Sequence, residues 1–128
     1  MSALAQGFAV IAAALHVVFF YMESIAFSRP EVHRRFGVMT SEHAEVVRPI
    51  MFNQGFYNLF LATGVIVGVA MSNGDGTTAT AGTAVVVFGL ACMSLAGVVL
   101  ALTSPSLRRA AAVQAGPSII ALALVVLL

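Results

Sequence analysis

The run Phe52–Met71, FNQGFYNLFLATGVIVGVAM, decides the fold. Twenty residues without a charge are enough to cross about 30 Å of hydrocarbon as a helix. Yet the run opens with Asn53, Gln54, Tyr57 and Asn58, four hydrogen-bonding side chains in seven residues. An apolar helix with a polar mouth is read here as a membrane span whose polar side chains face protein. Setting Asn53 at zero and stepping about 100° per residue puts Tyr57 near 40°, Gln54 near 100° and Asn58 near 140°. Gly64 and Gly68 fall near 20° and 60° in the same arc. Phe52, Phe56, Leu59 and Phe60 cover the other side. The expected face is thus polar at one end and a small-xxx-small packing surface at the other.

The rest of the chain agrees. It has 128 residues, 60% hydrophobic and 9% charged, with mean hydropathy +1.02. Soluble domains carry about 25% charged residues, so the chain belongs in a membrane. One domain is expected over residues 1–128, all-α, with four antiparallel transmembrane helices. The spans are expected at about 3–26, 50–72, 80–102 and 110–128. The turn NGDGTT and the link TSPSLRR are short, and short links force antiparallel neighbours. No basic stretch precedes the first apolar run, so it is read as a retained span rather than a signal peptide. Net charge is only +1, which excludes nucleic acid as a partner suggested by charge. The single cysteine, Cys92, forms no internal disulfide and no redox pair.

All six basic residues are arginine. Arg29, Arg34, Arg35 and Arg48 lie in the first connection, and Arg108 and Arg109 in the third. The second connection and both ends have none. The positive-inside rule therefore puts residues 27–49 in the cytoplasm and both termini outside, with the inner (plasma) membrane as the expected location. Within 27–49 a short helix is expected from about Glu42, with Ser41 as its N-cap. Pro49 is expected to kink or break it. Arg34, Arg35 and Arg48 are read as topology signals that touch lipid headgroups, with a phosphate site as the alternative. His33 and His43 are read as solvated loop residues.

Polar groups in three spans sit at one depth. His16 and Glu23 are seven apart, on one face within about 20°, with His16 about 10 Å deeper. Gln114 lies about one and a half turns into the fourth span. Pro117 frees the carbonyl of Val113 beside it. The outer half has almost nothing polar beyond Thr83. Glu23, His16, Asn53, Gln54, Tyr57, Asn58 and Gln114 are therefore the candidate ligand-binding residues. Ionisable groups inside a span cost roughly 2.5–3.5 kcal/mol on insertion scales and mark functional sites. Glu23 and His16 are accordingly the candidates for proton transfer, and whether the protein is an enzyme stays open. Two ligands are too few for a metal, and no residue pattern names a cofactor.

The stretches YMES, FNQGFYNLFLA and VQAGPSIIAL resemble a family of small bacterial four-helix membrane proteins of unknown function, some of them labelled epimerase. The resemblance spans nearly the whole chain. It implies the same four-helix fold and singles out Glu23, Asn53, Gln54, Gly55, Tyr57, Asn58, Gln114 and Pro117. The turn NGDGTTATAGT is longer than in such proteins. The epimerase label is not adopted, because no nucleotide-binding pattern is present.

Three functions follow. The first is a cytoplasm-facing polar pocket for a small amphiphile such as a lipid, isoprenoid or quinone. The second is a non-catalytic assembly subunit whose amides lock helices together, pairing with other membrane subunits or with a second copy through Gly64 and Gly68. The third is a small transporter or channel.

Overall fold

The computed structural model describes all 128 residues. There are five helices and no strand: α1 (Ala3–Phe20), α2 (Pro30–His33), α3 (Ser41–Ser72), α4 (Gly76–Thr103) and α5 (Arg108–Leu127). A π-helical turn, Tyr21–Ile25, continues α1, and one-turn 3₁₀ segments follow α2 and precede α5. Four stretches are long and apolar enough to cross a membrane: Ala3–Ile25, Ser41–Ser72, Gly76–Thr103 and Pro105–Leu127. They form an antiparallel four-helix bundle. α1 and α4 each pack on both α3 and α5, and meet each other little across the diagonal.

The core between them is built from small and medium side chains, among them Ala9, Ala12, Ala13, Ala62, Val65, Val86, Leu90, Met93 and Ala121. Large apolar side chains such as Ile50, Phe60, Phe88, Leu95 and Leu102 point outward instead. That inversion suits a bilayer. Lipid satisfies apolar surface, and helices associate through close backbone approach at small residues. The α3–α4 seam is the clearest case. A Cβ on Gly82 would sit 2.5 Å from the Ser72 nitrogen and 2.7 Å from the Gly68 carbonyl oxygen. A Cβ on Gly68 would sit 2.9 Å from the Gly82 oxygen in return. Gly89 opens room for Val65 in the same seam, and Gly97 for Ala115 in the α4–α5 seam. The face of Gly68 is thus covered by α4 of its own chain, whereas Gly64 has no neighbour within 4 Å of a Cβ position. The two glycines do not form one free face for a second copy.

α3 does not break at Pro49. The helix is one unbroken element of 32 residues with Pro49 inside it, and Thr40 rather than Ser41 is the N-cap. The Thr40 hydroxyl accepts from the His43 N–H at 3.1 Å. Proline removes the hydrogen bond to the carbonyl four residues back, here that of Glu45. Both residues lie on the exposed side, so the freed carbonyl can meet solvent and the helix continues.

The first connection is also more ordered than a loop. Phe27, Val38 and Ala44 form a small second core, with Phe36, Val47 and Met51 against it. His33 is not solvated. It is buried there, its Nδ1 on the Val38 carbonyl oxygen and its ring against Phe27. The chain reverses at Gly37, whose φ of 78° suits glycine. This folded connection fixes the place of Arg35 and Phe36. His43 is exposed, as expected.

At the opposite end Gln6 and Asn73 exchange amide hydrogen bonds, Gln6 Nε2 to Asn73 Oδ1 at 3.0 Å and Asn73 Nδ2 to Gln6 Oε1 at 3.2 Å. The half of the bundle away from the arginines therefore holds, besides Thr83, a polar clamp close to its rim.

Candidate functional site

The π-turn sets the site. The Ala26 N–H reaches back five residues to the Tyr21 carbonyl at 2.9 Å. One extra residue in that turn changes which side chains face inward. Ser24 locks the turn to α3 by donating to the Phe52 carbonyl at 2.7 Å. Gly55 makes room for it, since a Cβ there would collide with the Ser24 hydroxyl and lie 3.0 Å from its backbone nitrogen. Glu23 is thereby turned into the bundle, 7% exposed, facing Asn58, 6% exposed. The Asn58 Nδ2 donates to Glu23 Oε2 at 2.6 Å. Neither the second carboxyl oxygen nor the Asn58 carbonyl has a protein partner, and no cation pairs with Glu23.

Glu23 and Asn58 border a cavity of about 860 Å³ at the arginine-bearing end of the bundle. Gln54 and Gln114 line it too, so four of the seven predicted residues meet in one space. Apolar walls come from Phe19 and Met22 on the α1 side, Val99 and Leu100 on α4, and Val113 on α5. Val113 is the residue whose carbonyl Pro117 leaves without its helical partner. Arg35 and Phe36 of the first connection, and Ser106 and Arg109 of the third, close the rim.

The other three predicted residues lie elsewhere. Tyr57 is 59% exposed and Asn53 is also exposed, and neither lines the cavity. The buried face of α3 is instead Gly55, Asn58, Ala62, Val65 and Gly68. Close packing at the two glycines sets the rotation of the helix, and only one edge of the polar arc comes inside. His16 is fully buried in the core with its Nδ1 on the Ala12 carbonyl oxygen at 2.9 Å and its ring edge-on to Phe19. It does not line the cavity, and its Nε2 has no partner. His16 and Glu23 are thus not hydrogen-bonded to each other, so direct proton sharing between them is not part of the arrangement. Ser118, one turn beyond Gln114, joins Ser94 at 3.1 Å in a buried hydroxyl pair between α4 and α5.

Arg35, read from sequence as a topology and headgroup residue with a phosphate site as the alternative, and Arg109, read as a topology signal, both line the cavity. A signal existed: both connections that carry arginine join helices that carry the polar groups. The folded first connection, which brings Arg35 over the cavity, had no such signal.

Four long apolar helices, a lipid-type exterior and a polar vestibule at one end define a small multi-pass helical membrane protein. A family model covers residues 10–126, and the chain belongs to that family, described as protein of unknown function (DUF1304). No curated protein and no solved structure matches it.

Proposed function

We propose that this protein binds a small amphiphile in the cavity between α1, α3, α4 and α5, with the Glu23–Asn58 pair receiving its polar group. The observation that carries this reading is the pair itself: two side chains more than nine-tenths buried, each with an oxygen free, in an otherwise largely apolar cavity of about 860 Å³. Small-molecule sites are typically about 300–1,000 Å³, mostly apolar, with a few convergent polar groups. The free oxygens open on the cavity, where a ligand hydroxyl, amine or amide donates to them. Gln54 and Gln114 add donors and acceptors on adjacent walls. The opposite half favours binding over conduction, since the Gln6–Asn73 clamp and the alanine-rich core leave no matching polar level there.

The test is extraction of the protein together with its surrounding bilayer in polymer-bounded discs, followed by native mass spectrometry. Wild type should carry a bound amphiphile that resists delipidation. Gln114→Leu should lower its occupancy about tenfold, as loss of one hydrogen bond to a buried ligand implies, while the helical circular dichroism stays unchanged. Wild type without a retained amphiphile would sink the reading. Gln114→Leu altering thermal stability alone would favour a helix-locking assembly subunit.

The same reading places the cavity on the cytoplasmic side, because all six arginines lie at that end of the bundle and none at the other. A reporter fused after Leu128 that folds only in an oxidising compartment should be active. Activity of a cytoplasm-only reporter at that position would reverse the orientation.

A further inference from the structure

Resting on the amphiphile reading, we infer that the ligand is an amphiphilic anion whose phosphate or carboxylate headgroup is held by Arg35 and Arg109 at the cavity rim. The six arginines are not equivalent. Arg48 pairs with Glu45 at 3.5 Å. Arg108 donates to the Ala101 carbonyl at 3.1 Å and so closes the end of α4. Arg29 and Arg34 do not line the cavity. Arg35 and Arg109 do, and neither has a hydrogen-bond or ion-pair partner within the protein.

They arrive there by different routes. Arg35 is carried by the folded connection around Phe27 and Val38, and Arg109 by the first turn of α5. A topology signal needs arginines only on the correct side of the membrane. It does not need two of them, more than seventy residues apart in the chain, on one cavity. The first turn of α5 has no acidic residue and no side-chain cap. Helix starts favour negative charge, so the arginines there leave that charge to be supplied from outside the protein. Ser106 sets a hydroxyl donor on the same lining, whereas the Thr103 hydroxyl donates to the Val99 carbonyl at 2.8 Å.

The lining holds two arginines against one acidic residue, Glu23. Glu23 is committed on one oxygen to Asn58. The guanidinium groups hold the oxyanion, with planar forks suited to two parallel hydrogen bonds. Glu23 and Asn58 take a hydroxyl or amide nearer the start of the chain. The apolar chain lies along Phe19, Val99 and Leu100.

The experiment uses the full chain in phosphatidylcholine nanodiscs, with empty nanodiscs as the partitioning control. Three probes are titrated calorimetrically: decyl phosphate, decanol and inorganic phosphate. Decyl phosphate should bind at least tenfold more tightly than decanol, and inorganic phosphate at least a hundredfold more weakly than decyl phosphate. The variant R35Q/R109Q should remove the preference for decyl phosphate and leave decanol affinity within about twofold. R35K/R109K should restore part of the preference, since the charge returns without the fork. Equal binding of decyl phosphate and decanol, or a preference unaltered in R35Q/R109Q, overturns this inference and leaves the amphiphile reading intact. Inorganic phosphate binding as tightly as decyl phosphate also overturns it, making the rim a free-anion site. Binding of none of the three overturns both. Circular dichroism of each variant separates loss of binding from loss of fold.

Discussion

Gly82→Val is expected to separate α3 from α4 and to destabilise the bundle by about 3 kcal/mol or more. The site admits no adjustment by rotamer. The β-carbon alone would stand 2.5 Å from the Ser72 nitrogen and 2.7 Å from the Gly68 carbonyl oxygen, both backbone atoms. Relief requires the two helices to move apart along the seam, which strips contacts from Val65, Val86 and Leu90 in the main core. Close packing of that kind is the main source of helix association in a bilayer. Titration with dodecyl sulfate in mixed micelles measures the loss. Gly64→Ala is the matched control. No atom lies within 4 Å of its Cβ position, and alanine is favoured over glycine inside a helix by about 0.5–1 kcal/mol. It should be neutral or mildly stabilising. Equal stability of the two variants would refute the packing account of the seam.

Asn58→Leu is expected to cost about 1–3 kcal/mol of stability, because it strands the Glu23 carboxyl where that group is only 7% exposed. Adding Glu23→Leu should recover much of the loss, since a buried pair replaced on both sides leaves nothing unsatisfied. The double-mutant cycle should give a coupling of about 1–3 kcal/mol. The two single changes should differ for the ligand. Glu23→Gln keeps the shape and an oxygen able to accept from Asn58, so it should preserve the fold while weakening amphiphile binding about tenfold or more. Thermal denaturation and native mass spectrometry on the same samples separate these effects. Independent energies for the two residues would show that the 2.6 Å contact carries little.

The helices and their order were legible because span length and charge placement are one-dimensional properties. Matching polar depth was legible too, and it found Glu23, Gln54, Asn58 and Gln114, which border one cavity. Rotation about the helix axis was not. Tyr57 and Asn53 point out because α3 turns to bring Gly55 against Ser24 and Gly68 against Gly82, and those partners belong to other segments. The sevenfold spacing of Gly82 and Gly89 in α4 was the signal for that seam. The π-turn at Tyr21–Ile25 is a local insertion with no residue signature, so the inward turn of Glu23 emerges only in three dimensions. α3 does not break at Pro49 because proline interrupts one hydrogen bond on one side, and here that side is exposed.

The continuity of α3 through Pro49 makes it a lever. At 1.5 Å per residue its 32 residues measure about 48 Å, well beyond the roughly 30 Å of hydrocarbon. Its far end is tied to α1 by the Gln6–Asn73 clamp, and its near end carries the connection that holds Arg35. A tilt of about 5° around the clamped end moves the Ser41 end by about 4 Å. The mouth of the cavity is therefore sensitive to small changes in the tilt of α3.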